Sequence, residues 1–127
     1  MSAGFKAVSR CSLAAVAVLA VAACSPSGVS YSKDVQPVFA KNCSECHAPG
    51  KKGFEASGLD TTNHQAVMKG GKFGPLVKPG DALSSSLNML VEGRTHPSIQ
   101  MPHGRAKLPD KEIEILKVWV NEGAKNN

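Results

Sequence analysis

The chain has 127 residues, a formal net charge of +5 at pH 7, and 42% hydrophobic but only 5% aromatic residues. This length suits one domain rather than two. Without residues 1–23, the remaining 104 residues hold 13 Lys or Arg against 10 Asp or Glu, and a net charge of about +3 is not the signature of a nucleic-acid-binding protein. A small domain with so few large side chains is easier to stabilise when something besides side chains supplies part of its core volume.

The N-terminal segment has the pattern of a secretory signal peptide. Lys6 and Arg10 give it a positive start, and residues 13–23 form an almost unbroken run of Ala, Val and Leu. A run of this length is too short to cross a bilayer as a settled helix, but it suits the apolar region of an export signal. We therefore expect residues 1–23 to be removed. The alternative is a buried helix of a globular domain.

The predicted signal ends at residues 21–25, Val-Ala-Ala-Cys-Ser, which resemble the lipobox of bacterial lipoproteins. In a lipobox, small residues precede a cysteine that is lipidated and becomes the new N-terminus. The sequence thus predicts a lipid anchor on Cys24, a flexible tether over residues 24–30 and one domain over residues 31–127. An ordinary cleavage site, with Cys24 as a bystander, is the alternative.

A first helix is predicted to begin near Asp34, which can act as its N-cap. Pro37 is tolerated only if it falls in the first turn of this helix. Val35, Val38 and Phe39 supply the apolar surface of the helix.

Residues 43–47, which follow this helix, read Cys-Ser-Glu-Cys-His. The pattern C-x-x-C-H is typical of covalent haem c attachment. The thiols of Cys43 and Cys46 can form thioethers with the two vinyl groups of one porphyrin, and His47 is then placed to be the proximal iron ligand. In bacteria this attachment takes place outside the cytoplasm, so the motif and the export signal support each other. The remaining two cysteines lie in or directly after the predicted signal, so no disulfide framework is expected.

Three other interpretations of the cysteine motif compete with haem attachment. A thioredoxin-like redox pair needs a βαβ context, and the sequence has few strand-like runs. Half of a zinc site needs a second pair of ligands, and the sequence holds no second Cys pair of this kind. The third interpretation is a chance occurrence in a loop.

The segment after the motif is predicted to contain one helix between two irregular stretches. Residues 48–53 are a loop by composition. A helix is predicted over residues 63–69, ending at the glycine pair 70–71, and an irregular stretch follows over residues 73–80. Three apolar side chains of this stretch are expected to form a wall of the haem crevice: Phe73, Leu76 and Val77.

A third helix is predicted to begin at Asp81 or Ser84 and to end at Gly93. Met89 lies in an apolar part of this helix, so we assign it to core packing.

The sixth ligand of the iron must come from a methionine or a histidine, and the candidates are Met68, Met89, Met101, His64, His96 and His103. Met101 is favoured because it lies in a loop just ahead of the last helix, where a thioether can be brought directly toward the iron, and because Pro102 stiffens this approach. His103, on the same loop, is the runner-up. The other two methionines are assigned to packing, and the other two histidines to surface or capping positions.

The last helix is the clearest. Pro109 fits its start, acidic residues occupy its first turns, and Gly123 ends it. Five apolar residues share one face of this helix: Ile113, Ile115, Leu116, Trp119 and Val120. We expect Trp119 to pack against the first helix. The predicted architecture is all-α, with three to five short helices around one cofactor and the first and last helices crossing.

The sequence also resembles a known family. Residues 34–39 (Asp-Val-Gln-Pro-Val-Phe) ahead of the haem motif, residues 79–81 (Pro-Gly-Asp) and the pair Met101-Pro102 resemble those of small class I-type bacterial c-type cytochromes, and in particular planctomycete-type cytochrome c domains. The likeness covers about residues 31 to 124.

This resemblance implies a cytochrome c-like fold, covalent haem attachment through Cys43 and Cys46, and axial ligation by His47 and Met101. Its members serve as electron carriers or as domains of larger oxidoreductases. One departure is His103, which stands where many relatives have another proline or a residue that is not a ligand, and this keeps His103 as the alternative ligand.

We expect the protein to transfer single electrons and not to be an enzyme, because two axial ligands leave the iron no open site for a substrate. The expected partners are redox proteins, with neither nucleic acid nor a small-molecule substrate, and the expected location is the periplasm, with a lipid tether to the inner or outer membrane. A haem-based sensor and an electron-transfer subunit of a larger oxidoreductase are the alternatives. Six lysines around the motif are candidates for steering an acidic partner, although an ordinary solvated surface is the other interpretation: Lys41, Lys51, Lys52, Lys69, Lys72 and Lys78.

Overall fold

The computed structural model describes residues 28–127. The chain forms a π-helical turn (Tyr31–Val35), α1 (Gln36–Asn42), α2 (Lys52–Ser57), α3 (His64–Lys69), α4 (Ser86–Glu92), a 3-10 turn (Pro97–Ile99) and α5 (Asp110–Asn121). The described part of the chain contains no strand, only an isolated bridge between Gly71 and Gly74. This architecture confirms the predicted all-α, cytochrome c-like fold.

The first helical segment begins earlier than predicted. The π-helical turn leads directly into α1, and its N-cap is Ser30, whose hydroxyl accepts a hydrogen bond from the backbone N–H of Lys33. Asp34, the predicted N-cap, instead accepts a hydrogen bond from the Ser30 N–H at 2.8 Å. Pro37 falls in the first turn of α1, as predicted.

The prediction missed α2. This helix begins at Lys52, inside the segment 48–53 that composition assigns to a loop, and it ends at Gly58 with φ +70°. It is only six residues long, contains Gly53, and has no side-chain N-cap. Apart from the glycine that ends it, the usual sequence signals of a helix are therefore absent.

The predictions for α3 and α4 agree better with the structure. The side chain of Asn63 caps α3 by accepting a hydrogen bond from the Ala66 N–H at 2.9 Å. The fourth helix begins at Ser86, later than predicted, and ends at Gly93 as predicted. Asp81 lies in the preceding turn, where its carboxylate accepts a hydrogen bond from the Ser84 N–H at 3.0 Å.

The core forms where α5 packs against the first helical segment. Trp119 is 1% exposed, and the centroid of its ring system lies 5.6 Å from that of Tyr31 and 6.3 Å from that of Phe39. Its indole N–H donates a hydrogen bond to the Lys125 carbonyl at 3.0 Å. Trp119 therefore packs against the first helix, as predicted.

His64 belongs to this core and is not the surface or capping residue that was predicted. Its ring is half-buried and meets the Tyr31 ring edge-on, at a centroid distance of 4.9 Å. The Nε2 atom lies 2.8 Å from the carbonyl oxygen of Ala124. Because a carbonyl oxygen can only accept, this geometry places a proton on Nε2.

The two ends of the domain are joined by hydrogen bonds. The Val29 N–H donates to a carboxylate oxygen of Glu122 at 2.9 Å, and the Tyr31 N–H donates to the side-chain oxygen of Asn127 at 2.8 Å. Ser30 also donates to the Asn127 carbonyl at 3.0 Å. The packed domain thus includes Val29 and Ser30, which were predicted to belong to the tether.

The predicted signal peptide, residues 1–23, and the predicted lipidation site, Cys24, lie outside the described residues. Among residues 28–127, no helix is both long and apolar enough to cross a membrane.

We expect Trp119→Ala to lower the free energy of unfolding by about 3–5 kcal/mol, because it leaves a cavity among fully buried side chains. Trp119→Phe should cost less, roughly 1–2 kcal/mol, since it keeps an aromatic ring but loses the hydrogen bond to the Lys125 carbonyl. Denaturant unfolding followed by circular dichroism measures both. Equal stability of Trp119→Ala and the wild-type protein would contradict this account of the core.

Candidate functional site

The structure contains an apolar crevice made of two adjoining cavities of about 570 and 500 Å³. These volumes lie in the range of protein cofactor sites. The two cavities share seven lining residues: His47, Ser57, Leu59, Phe73, Leu76, Leu90 and Met101. The imidazole and the thioether predicted to bind iron therefore both line the boundary between the cavities.

The C-x-x-C-H motif forms a compact turn at the end of α1. Cys43 is the C-cap of the helix, and its N–H donates to the Phe39 carbonyl at 2.8 Å. The N–H groups of Cys46 and His47 both donate to the Cys43 carbonyl, at 3.0 and 2.8 Å. This turn places both thiols and the imidazole on the wall of one cavity.

α1 and its motif are attached to α5 through Glu112. One carboxylate oxygen of Glu112 accepts from the Asn42 amide at 2.8 Å, and the other accepts from the Lys41 ammonium at 2.7 Å. Asn42 also donates to the Val38 carbonyl at 3.0 Å. The residues directly before Cys43 are thereby fixed to the last helix.

The backbone of His47 is fixed from outside the motif. Its carbonyl accepts hydrogen bonds from the Thr61 N–H at 2.9 Å and from the Thr61 hydroxyl at 3.1 Å. Thr61 itself is buried and also shares a hydrogen bond with the Ser44 hydroxyl at 3.0 Å. The segment between α2 and α3 therefore holds the motif in place.

The side chain of His47 lies against α2. A Cβ atom at Gly53 would lie 3.0 Å from Cε1 of His47 and 2.7 Å from the Cys46 carbonyl oxygen, so only glycine fits there without a shift. The hydroxyl of Ser57, one turn further along α2, lies 3.4 Å from Nδ1 of His47. Burial lowers the pKa of His47, against a smaller opposing effect of a hydrogen bond to the Leu59 backbone.

The two thiols have different surroundings. Cys43 is half-buried and Cys46 is exposed, and both are free cysteines. Burial raises the pKa of the Cys43 thiol to about 12, with smaller contributions from the nearby Glu112 carboxylate and Cys46. In the folded chain, Cys43 is therefore a neutral thiol at physiological pH.

Residues 100–109, between the 3-10 turn and α5, form a loop that we call the methionine loop. This loop lines the crevice although it is far from the motif in sequence. Met101 is half-buried, and its N–H donates to the Leu90 carbonyl of α4 at 3.3 Å. The Met101–Pro102 peptide bond is cis. His103, the runner-up ligand, is exposed but lines the cavity that also contains both thiols.

An ion pair joins the methionine loop to the haem motif across the crevice. The guanidinium of Arg105 donates a hydrogen bond to the carboxylate of Glu45, inside the motif. The same contact raises the pKa of Arg105. Both side chains are largely exposed, so we expect the ion pair to orient the loop more than to stabilise the fold.

Met89 and Thr95 are among the crevice residues that the sequence analysis missed. Met89, assigned to core packing, instead lines the larger cavity together with Met101. Thr95 lines it too, and its hydroxyl is buried without a hydrogen-bond partner in the described structure. The helical pattern of α4 does not distinguish a core-facing side from a crevice-facing one, because both are apolar.

The predicted crevice wall is correct for two of its three residues. Phe73 and Leu76 line both cavities. Val77 is buried in the core and lines neither. Phe73 is 89% exposed and lies at the mouth of the crevice. The remaining methionine and histidine candidates lie elsewhere: Met68 packs against the core, and His96 is the N-cap of the 3-10 turn, both as predicted.

Residues 43–103 match the model of a protein family described as Planctomycete cytochrome C. The chain contains a cytochrome c-type domain. The matched segment extends from Cys43 to His103 and so includes both thiols, His47 and Met101. No curated protein and no solved structure matches the chain. A domain of this family indicates a haem-binding protein that transfers electrons.

The crevice of the cytochrome c-type domain fits a haem. Its lining is predominantly apolar. It holds two thiols that could attach the haem covalently, and an imidazole and a thioether that could bind its iron. Gly53 leaves room for the His47 ring. The unpartnered hydroxyl of Thr95 adds a polar group that a cofactor with polar substituents would satisfy.

We expect Gly53→Ala to lower the free energy of unfolding by about 1–3 kcal/mol and to alter the visible spectrum of the haem-loaded protein, because the added methyl group displaces His47 or the Cys46 carbonyl. Gly50→Ala is the matched control. A Cβ atom at Gly50 meets nothing within 4 Å, although its φ of +79° costs backbone strain. A Gly53→Ala spectrum identical to that of the wild type would contradict the contact with His47.

We expect an alkylating reagent to modify Cys46 before Cys43 in the folded chain without haem. Cys46 is exposed, whereas the raised pKa of Cys43 keeps its thiol protonated, and the thiolate is the nucleophile. Labelling of Cys43 should increase as the pH is raised toward 12. Mass spectrometry of the labelled peptides gives the order. Equal rates in a chain whose circular dichroism is helical would contradict this prediction.

Proposed function

We propose that this protein is an exported electron carrier that transfers single electrons through one covalently bound haem c with His47 and Met101 as axial ligands. The observation that carries this proposal is the crevice, where the four side chains expected for such a site, from two distant parts of the sequence, line one cavity. The predicted lipid anchor on Cys24 would tether the carrier to the periplasmic side of a membrane.

Cys43 and Cys46 would hold the haem through thioethers, and His47 and Met101 would occupy the two axial positions. A bound haem would supply the chemistry, a one-electron change between its ferric and ferrous states. The chain contributes the choice of ligands and the exclusion of water. A thioether ligand and apolar walls both favour the state of lower charge, so this arrangement supports a raised reduction potential.

The charges at the rim of the crevice support a redox partner with an acidic surface. Lys52 and Arg105 both line the cavity that contains the thiols. Three basic residues are already engaged: Arg105 pairs with Glu45, Lys41 pairs with Glu112, and Lys72 donates to the Glu55 and Ala56 carbonyls. Among the rim charges, steering of an acidic partner would therefore depend mainly on Lys52.

Visible spectra of the protein expressed with haem-attachment machinery test this proposal. Sharp c-type bands on reduction, with haem retained through denaturation, are expected. Absence of attached haem would overturn the proposal. Ready binding of carbon monoxide to the reduced wild-type protein would instead favour a haem-based sensor, in which the sixth ligand is displaced.

We expect Met101→Ala to abolish the weak near-infrared methionine-to-iron band of the oxidised protein and to open the iron to carbon monoxide when reduced. Met89→Ala is the matched control, because Met89 is a methionine of the same cavity and should leave the band unchanged. Loss of the band in Met89→Ala and its retention in Met101→Ala would assign the ligand to Met89. If neither variant changes the axial ligation, His103→Ala tests the remaining candidate.

A further inference from the structure

We propose that the domain contacts the membrane through the end where α5 finishes, with Leu83 meeting the lipid, and that the haem motif lies at the far end, away from the bilayer. This inference rests on the proposed function, which includes a lipid anchor on Cys24. It adds which surface of the domain meets the lipid and from which side a redox partner reaches the haem.

The first helical segment and α5 run in opposite directions, so their pair has two distinct ends. At the tether end, the start of the first segment meets the residue that follows α5, through the hydrogen bond from the Val29 N–H to Glu122 at 2.9 Å. At the motif end, the last residue of α1 meets the start of α5, through the hydrogen bond from Asn42 to Glu112 at 2.8 Å. The helix between Glu112 and Glu122 separates the two ends by about 15 Å.

The predicted lipid anchor is close in sequence to the tether end. Three residues, 25–27, separate Cys24 from Gly28. Even a fully extended chain spans only about 14 Å between these two positions. The hydrogen bond between Val29 and Glu122 fixes the next residue to the tether end, so this end stays close to the lipid that Cys24 would carry. A single attachment leaves the tilt of the domain open, and a second contact is needed to set it.

Leu83 gives the tether end this second contact. Its side chain is 75% exposed, in the turn ahead of α4. The turn is attached to the end of α5, because the Gly80 N–H donates to the Val120 carbonyl at 2.7 Å and the Ala82 N–H donates to the Asn121 side chain at 3.0 Å. An exposed apolar side chain beside a lipid-anchored tether can enter the interfacial layer of the bilayer, where removing it from water is favourable.

The other surface residues of the tether end suit contact with lipid headgroups. Of the three large apolar side chains that are exposed in the described part of the chain, Phe73 and Ile99 line the crevice, and Leu83 does not. The haem site therefore gives no reason for the exposure of Leu83. Near the tether end, the exposed residues are polar or charged, as the headgroup layer favours: Ser32, Lys33, Lys125 and Asn126.

The rim of the cavity that contains the thiols lies at the motif end. Leu108, two residues before α5, lines this cavity together with Asn42. Cys46, Lys52 and Arg105 are exposed lining residues of the same cavity. With the tether end on the bilayer, this rim faces the aqueous phase, so a redox partner would reach the haem from the periplasm and not from within the lipid.

The test attaches one spin label to each of three variants of the full-length, lipidated, haem-loaded protein in phosphatidylcholine vesicles. Leu83→Cys and Lys125→Cys report on the tether end. Asp110→Cys is the matched control, because the Asp110 side chain is fully exposed at the start of α5. The haem and the lipid occupy the other cysteines of the mature chain, so each variant has one free thiol. Electron paramagnetic resonance of the reduced protein compares collisions of the label with oxygen, which concentrates in lipid, and with a nickel chelate, which stays in water.

We expect labels at positions 83 and 125 to lose collisions with the nickel chelate relative to oxygen, and the label at position 110 to keep the ratio of an aqueous site. Equal ratios at positions 83 and 110, or a lipid-like ratio at position 110, would overturn the inference. If Leu83→Cys does not load haem, an aqueous ratio at position 125 overturns it as well. Failure of the wild-type protein to float with the vesicles would overturn the lipid anchor and this inference together, so the two failures are distinguishable.

Discussion

The imidazole of His47 is held by groups from three parts of the chain, and the rest of the site is arranged around it. The motif turn sets its backbone N–H, Thr61 binds its carbonyl, and Gly53 and Ser57 contact its ring. A side chain fixed at its backbone and at its ring has little conformational entropy left to lose when a ligand binds. The proposed role of His47, as an iron ligand that keeps one geometry in two oxidation states, would need this kind of support.

The core that supports this site is small, and aromatic packing at one end of it offsets the shortage of large side chains elsewhere. Trp119 joins α5 to the first helical segment through its contacts with Tyr31 and Phe39. Phe39 is both a core residue and a lining residue of the crevice. Packing in the core and the shape of the haem site are therefore coupled, since a change at Trp119 reaches the crevice wall through a single side chain.

The loop that carries Met101 is attached less firmly than the motif. Its links to the rest of the domain include one backbone hydrogen bond from Met101 to Leu90 and the exposed ion pair between Arg105 and Glu45. Exposed ion pairs contribute little to stability. This difference fits the proposed site. His47 would be fixed by the covalent attachment of Cys43 and Cys46 to the haem, whereas Met101, on a separate loop, would be held by its own bond to the iron.

The sequence alone determined the features that depend on local chemistry. The C-x-x-C-H motif, the α5 stripe and the glycine that ends α4 follow from residue type and spacing. These patterns predicted the all-α class, and the motif predicted two thiols and an imidazole that line the crevice. Only the tertiary structure decided which apolar side chains face the crevice. Met89, which was predicted to lie in the core, lines the crevice, and Val77, which was predicted to line the crevice, lies in the core. The sequence could not separate the two positions because core and cofactor cavity are equally apolar. The tertiary structure also decided the role of α2. The sequence gives this helix no start signal, and its contact with His47 arises from packing rather than from propensity.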